Sequence, residues 1–258
     1  MSARIKREHI TIVLHKPRYP ENIGAAARAM RNMGLKRLTI VDPLNCDMNR
    51  VYKMATHAAA RVVEQMMVFD SLSEALAPFN LIVGTTARLG RQRQVIESPA
   101  QLARRLIPYT EENQIALLFG PEDRGLSNEN LRSCHWLVNI PTDDFSSLNL
   151  AQAVMVICYE LLMAERDEPT TFHPRLANRH ELDGMYAQVK DILVRINYIN
   201  PENPDYWMNK IRLYFNRLQL RAKEVSIIRG ICRQFYWYTE KRYQDGLHDR
   251  GKASKNEG

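Results

Sequence analysis

An α/β fold, with a parallel sheet covered by helices on both faces, is predicted by three features of the 258-residue sequence. Short apolar runs recur along its first two-thirds, turn residues bound each run, and amphipathic segments lie between them. Crossover helices are what connect parallel strands, so this alternation points to that class. A chain with 45% hydrophobic and 25% charged residues is neither collagen, coiled-coil fibre nor wholly disordered.

Strands are expected at Ile10–Leu14, Arg37–Val41, Met66–Phe69, Leu81–Gly84, Ile115–Phe119 and Trp136–Ile140, each short and apolar. The Ala-rich segment Asn22–Asn32 reads as a helix stopped at Met33-Gly34, a C-terminal cap signal. Ser71-Leu-Ser-Glu74 has the spacing of a capping box opening a short helix. Pro99–Leu106 and Ser127–Ser133 are also helical in pattern, and the apolar stretch from Leu148 to Glu165 reads as a buried core helix. Beyond a polar, proline-bearing connector the strand pattern stops. Three helices follow, at Arg179–Ile196, Asp205–Arg217 and Ala222–Arg242, and from Gln244 the composition is that of a disordered tail.

No uncharged apolar run approaches the roughly 20 residues that span a bilayer. The polar, basic N-terminus has no hydrophobic signal core, so a cytoplasmic protein is expected. Cys46, Cys134, Cys158 and Cys232 show no metal spacing and read as reduced structural thiols. The net charge of +7 is uneven. Residues 169–258 hold 16 Lys and Arg against 10 Asp and Glu, and residues 1–100 hold 15 against 8. Basic surfaces of this kind suit a polyanion such as RNA, and equally a merely solvated face.

Several chemistries are excluded by motif. Gly120 and Gly125 have the spacing of a phosphate loop, but Leu126-Ser127 stands where Lys-Ser/Thr is required. No GxGxxG follows the first strand, no GxSxG surrounds Ser146 or Ser147, and the seven histidines form no metal-binding pattern. No metal is expected.

Three segments follow predicted strands, where open α/β sheets bind their ligands. They are Val83-Gly-Thr-Thr-Ala87, Leu118–Leu126 and Asn139–Leu150. Gly84 and Gly120 allow close approach to backbone, while Ile140, Pro141 and Leu148 offer apolar walls for an adenine or a thioether. Each segment alone reads more readily as a tight turn with a helix cap.

Their combination is more specific. Asn22-Ile-Gly-Ala-Ala-Ala-Arg28, Phe119-Gly-Pro-Glu-Asp-Arg-Gly-Leu-Ser127 and Ile140-Pro-Thr-Asp-Asp-Phe-Ser-Ser-Leu-Asn-Leu150 resemble, in that order, the three motifs of the SPOUT RNA 2'-O-methyltransferases. Met208–Arg212 and Ile227–Ile231 resemble the C-terminal extension of the TrmJ subfamily, so the resemblance covers about residues 8–235.

The resemblance implies a methyltransferase domain over 1–166, with a trefoil knot at about 115–165. It also implies a linker at 167–178, a helical extension at 179–243 that binds RNA or supports a dimer, and a tail at 244–258. It further implies a homodimer that binds S-adenosylmethionine, releases S-adenosylhomocysteine and takes tRNA as partner. Members of the subfamily methylate the ribose 2'-hydroxyl of C or U at position 32 of the anticodon loop.

Carried over residue by residue, the cofactor would meet Thr85, Thr86, Ala87, Gly120, Ile140, Ser146, Ser147 and Leu148. Arg28 would stand near the attacking hydroxyl; a guanidinium makes a poor general base but holds a phosphate or an alkoxide well. Ser147 and Asn149 would orient the hydroxyl, Glu122 would pin Arg28 or the ribose, and Asn22 would shape the helix start. Arg88, Arg91 and Arg93 are expected to touch phosphates, although their spacing departs from the subfamily pattern. Lys210, Arg212 and Arg229 are expected to bind RNA backbone, with most of the interleaved aromatics in the core. The competing readings are a ribosomal RNA or other-site tRNA methyltransferase and a non-catalytic RNA-binding protein of the same fold.

Overall fold

The computed structural model describes residues 5–87, 96–144, 147–164 and 174–253. It divides into two compact units, Met1–Arg179 and His180–Gly258.

Among the described residues the first unit holds seven strands: β1 (Ile10–His15), β2 (Arg37–Val41), β3 (Met67–Phe69), β4 (Leu81–Thr85), β5 (Ile96–Glu97), β6 (Ile115–Phe119) and β7 (Trp136–Val138). They form one sheet in the order β3-β2-β1-β6-β4-β7-β5, and every pairing is parallel. The strands are apolar on both faces because both faces are covered. Ile12, Leu14, Ile40, Val83, Leu117 and Phe119 point into one core with α1 (Pro20–Asn32), α2 (Met48–Glu64), α4 (Pro99–Leu106) and α6 (Leu150–Ala164). Val13, Val41, Ile82, Ala116, Leu118 and Leu137 point into the other, against α3 (Leu72–Leu76) and α5 (Asn128–Arg132). The strand–helix alternation expected from the sequence is therefore present.

Local chemistry sets the boundaries. Pro20 opens α1 two residues earlier than Asn22, as proline at the first helical position favours. Gly34, at φ +82°, ends the segment as expected. The capping box expected at Ser71 is not made: Ser71 stands at the N-cap of α3 without a side-chain bond, and the single turn closes through Ala75 N–H to the Ser71 carbonyl. A full capping box forms instead between Ser98 and Gln101 on α4. The sequence pattern does not anticipate α2, whose start Asp47 caps through Asn49 and Arg50 N–H and whose course breaks at Thr56. β7 stops at Val138, short of the expected Ile140, because Asn139 turns its side chain to the Thr86 carbonyl at 2.8 Å.

Residues 174–179 pack against the first unit. Leu176 and Ala177 are buried, Asn80 Nδ2 donates to the Leu176 carbonyl at 2.6 Å, and Arg179 N–H donates to the Phe79 carbonyl. All four cysteines are free thiols, and burial pushes Cys134 and Cys158 up to about 12. Among the described residues, no helix is long and apolar enough to cross a membrane.

One buried group makes the unit acid-sensitive. His135 Nδ1 accepts the Ile82 N–H at 3.1 Å, so the neutral ring is the one the site holds. Burial, aided by the Arg179 charge, lowers its pKa to about 4. The unfolded chain therefore binds a proton here near pH 6.5, and the folded chain only near 4. The resulting stabilisation is complete above pH 6.5 and is lost as pH falls through 4, on the order of 3 kcal/mol over that window. Melting temperatures measured from pH 7 to 4 should fall. The fall should be shallower in His135→Asn, which keeps an acceptor for Ile82 but no titrating ring; an equal fall in both proteins would remove His135 as the cause.

The second unit contains α7 (Arg179–Arg195, from its second residue), α8 (Pro204–Leu218) and α9 (Ala222–Ala253). Leu182, Met185, Tyr186, Met208, Val225 and Cys232 are buried, and Tyr186 Oη donates to Asn216 Oδ1 at 3.1 Å. α9 continues through Ala253, beyond Gln244 where a disordered tail is expected from composition.

Candidate functional site

Strands β6, β4 and β7 lie side by side, so the three loops singled out in the sequence leave the sheet at one place. Between them opens a cleft of about 340 Å³. Seven of the eight expected cofactor residues line it: Thr85, Thr86, Ala87, Gly120, Ile140, Ser147 and Leu148. Ser146 lies outside the described residues. Sequence reasoning assigned no cofactor contact to Arg124 and Leu126, inside the second motif, or to Val138 and Ala153, outside the motifs, and all four line the cleft. Only the fold reveals that they converge.

The walls are held by hydrogen bonds rather than by large side chains. Thr85 Oγ1 donates to the Leu118 carbonyl at 3.2 Å, tying β4 to the end of β6. Thr86 N–H donates to the Val138 carbonyl at 2.9 Å, and Asn139 Nδ2 returns a bond to the Thr86 carbonyl. Two glycines are needed for the shape. A Cβ on Gly84 would lie 2.5 Å from Cys134 Sγ, and one on Gly120 would lie 2.3 Å from the Leu126 backbone nitrogen. Gly125 takes φ +64°, which lets the loop fold back over Gly120.

A chain of polar contacts joins the three motifs. Asn22 Nδ2 donates to Glu122 Oε1 at 2.7 Å, and Arg18 N–H donates to Glu122 Oε2 at 3.0 Å. Asn22 Oδ1 accepts from Asn149 Nδ2 at 2.9 Å. Asn149 in turn caps α6, its Oδ1 accepting Ala151 N–H at 2.9 Å. Glu122 thus fixes Asn22, and Asn22 fixes Asn149, across 100 and 127 residues of sequence. Of the two roles expected for Glu122, pinning Arg28 or the ribose, the first is not made within this chain, where its partners are Asn22 and Arg18.

Arg28 itself is exposed on α1 and lines neither this cleft nor the second cavity beside it. It sits six residues past Asn22, about 9 Å along the helix at 1.5 Å per residue, away from the cleft lining. Arg88, Arg91 and Arg93 lie outside the described residues. Among the described residues, no group of His, Cys, Asp and Glu could hold a metal ion.

In the second unit Lys210 is exposed, its Nζ lying 4.5 Å and 4.9 Å from the ring centres of Tyr206 and Trp207. Arg212 and Arg229 are instead engaged within the unit. Arg212 packs over Tyr186, and Arg229 donates to Gln188 at 3.2 Å. Most of the aromatics are not core, contrary to the expectation from helical spacing. Tyr206, Trp207, Tyr214, Phe235, Tyr236 and Trp237 are all exposed, and only Phe215 is half-buried, near Tyr186. Their periodicity places them on the outer faces of the helices, with Arg195 over Tyr236 and Lys241 over Trp237.

Comparison with known proteins agrees with this geometry. The SpoU rRNA methylase family matches residues 9–159, and the C-terminal domain of the tRNA methyltransferase TrmJ matches residues 180–245. The chain is 36% identical over 238 residues to the tRNA (cytidine/uridine/adenosine-2'-O-)-methyltransferase TrmJ of Pseudomonas aeruginosa, covering 87% of this chain and 92% of that protein. It is 35% identical over 230 residues to the tRNA (cytidine/uridine-2'-O-)-methyltransferase TrmJ of Pectobacterium atrosepticum, covering 87% and 95%. The crystal structure of TrmJ from Z. mobilis superposes with a TM-score of 0.76 at 29% identity, over 88% of this chain and 98% of that one. A parallel α/β sheet whose converging loops carry two of the three motifs, with the other on α1 tied to them through Asn22, followed by a matching helical C-terminal domain, places this chain in the SpoU methylase family, among the TrmJ methyltransferases.

Proposed function

We propose that this chain is an S-adenosylmethionine-dependent tRNA methyltransferase acting on the ribose 2'-hydroxyl of C or U at position 32. In this reading it works in the cytoplasm as a homodimer and threads the segment around 115–165 as a trefoil knot. The observation that carries the proposal is the convergence of Thr86, Gly120, Ile140 and Leu148 on one cleft, beside the Glu122–Asn22–Asn149 chain.

The cleft suits the cofactor. It has the volume of a small-molecule site, apolar side chains at Ile140, Leu148 and Leu126 for an adenine, and a tight loop around Gly120 that brings main chain to its wall. Bound there, S-adenosylmethionine supplies a methyl group on a sulfonium, activated by the positive charge that the departing thioether loses.

The chain's own task is alignment and charge management. Ser147 and Asn149 hydrogen-bond the attacking hydroxyl, and Asn22 keeps Asn149 in place under the control of Glu122. The new bond joins the ribose oxygen to the methyl carbon as the carbon–sulfur bond breaks, and the hydroxyl proton passes to solvent by way of Ser147. The remaining need is a cation at the developing alkoxide. Because Arg28 faces outward, Arg28 of the partner subunit fills that role. An apolar helix supports such a dimer: α6 is hydrophobic around its circumference, with Tyr159 exposed and Val156, Leu162 and Met163 half-buried.

The exposed aromatics and cations of the second unit hold RNA by stacking and by backbone charge. Deleting the gene and mapping tRNA oligonucleotides by mass spectrometry tests the site. Loss of the ribose methyl at position 32 is expected; an unchanged anticodon loop would refute the assignment.

A further inference from the structure

Beside the cleft lies a second cavity of about 440 Å³. The two share Glu122, Ser147 and Leu148, so whatever occupies the second cavity is separated from the methyl donor's cleft by a single wall. Its remaining side is built by three residues the motifs do not include, Tyr19, Glu21 and Arg50.

Tyr19 is 53% exposed, yet its position is fixed. It is the N-cap of α1 with extended backbone, its carbonyl accepts Asn22 N–H at 3.0 Å, and the next residue, Pro20, is buried. A tyrosine left in solvent on a rigid step is an available aromatic face. Arg50, in the first turn of α2, is likewise oriented. Its Nε and Nη2 lie 2.7 Å and 2.6 Å from Glu21 Oε1. One carboxylate oxygen accounts for two of the five guanidinium N–H groups, and the rest of the fork suits a phosphate. A flat ring and an oriented guanidinium, on the acceptor side of a methyl-transfer wall, match the two ends of one unstacked nucleotide.

We propose that this second cavity seats the methyl-accepting nucleotide, its base stacked on Tyr19 and its phosphate held by Arg50; this rests on the methyl-transfer reading above. Tyr19 and Arg50 thereby select an unstacked nucleotide rather than a particular base: stacking tolerates any flat base, and the guanidinium holds its phosphate.

Methyl transfer to tRNA by the wild type, Tyr19→Phe, Tyr19→Ala and Arg50→Gln, with calorimetry of S-adenosylmethionine for each, tests the proposal. Tyr19→Ala should lower kcat/KM about tenfold or more, the scale of one lost base–aromatic stack, with cofactor affinity unchanged. Tyr19→Phe keeps the ring and should stay within about twofold of wild type. Arg50→Gln should raise KM and make the salt dependence of tRNA binding shallower by about one phosphate contact. Wild-type kinetics in Tyr19→Ala, or a loss in Tyr19→Phe equal to that in Tyr19→Ala, would overturn the stacking role. A wild-type protein that binds S-adenosylmethionine but methylates no tRNA would instead bring down the underlying reading, and this one with it.

Discussion

Arg28→Ala is expected to slow methyl transfer at least about a hundredfold, the scale of losing one preorganised charge at a developing oxyanion. Fold and S-adenosylmethionine affinity should be unchanged. The structural basis for the second half is direct: Arg28 is exposed on α1 and lines neither cavity, so its removal disturbs no wall. The basis for the first is the motif position together with the absence, among the described residues lining the cleft, of any arginine but Arg124. If the partner subunit supplies Arg28, an inactive Arg28→Ala chain mixed with a chain defective only in its cleft should regain activity. A mixed dimer then contains one complete site. Near-normal turnover of Arg28→Ala alone would remove its catalytic role, and failure of the mixture to recover would remove the sharing between subunits.

Gly120→Ala is the natural partner for that mixture and the second large effect. The added Cβ would stand 2.3 Å from the Leu126 nitrogen and 2.4 Å from the Gly125 carbonyl carbon. Both are backbone atoms, so no side chain can swing away and the loop itself must move. Overpacking of this kind costs about 1–3 kcal/mol, which weakens binding roughly 5- to 150-fold if it falls on the bound state. Calorimetry should show S-adenosylmethionine affinity reduced by that factor or lost, with circular dichroism still reporting a folded chain. Wild-type affinity would mean that the 120–126 loop does not form the cofactor wall.

Much of the site was legible before the fold. Apolar runs ending in glycine, such as Val83-Gly84 and Phe119-Gly120, mark strand ends, and strand ends are where α/β sheets bind ligands. Their adjacency was not legible, because β4 enters the sheet between β6 and β7, an order that local pattern does not encode. Arg50 was hidden for a related reason. It belongs to α2, whose apolar spacing over Val51, Ala55 and Ala59 is interrupted at Thr56, a non-helical residue with φ 58°. It reaches the cavity because α1 and α2 pack closely, with the Val51 carbonyl 2.1 Å from where a Cβ on Gly24 would stand. The aromatics of α8 and α9 show the opposite limit. Helical spacing reveals that residues share a face, but not whether that face is covered, and here Tyr206, Trp207 and Trp237 are left in solvent.

The measurement closest to the central claim is chemical. Purified protein would be incubated with tRNA and S-adenosylmethionine carrying a deuterated methyl group, and the tRNA digested to nucleosides for mass spectrometry. The account predicts a single labelled product class, cytidine or uridine bearing the deuterated methyl on its ribose oxygen. Label on a nucleobase, or no label from a protein that binds both molecules, would contradict it.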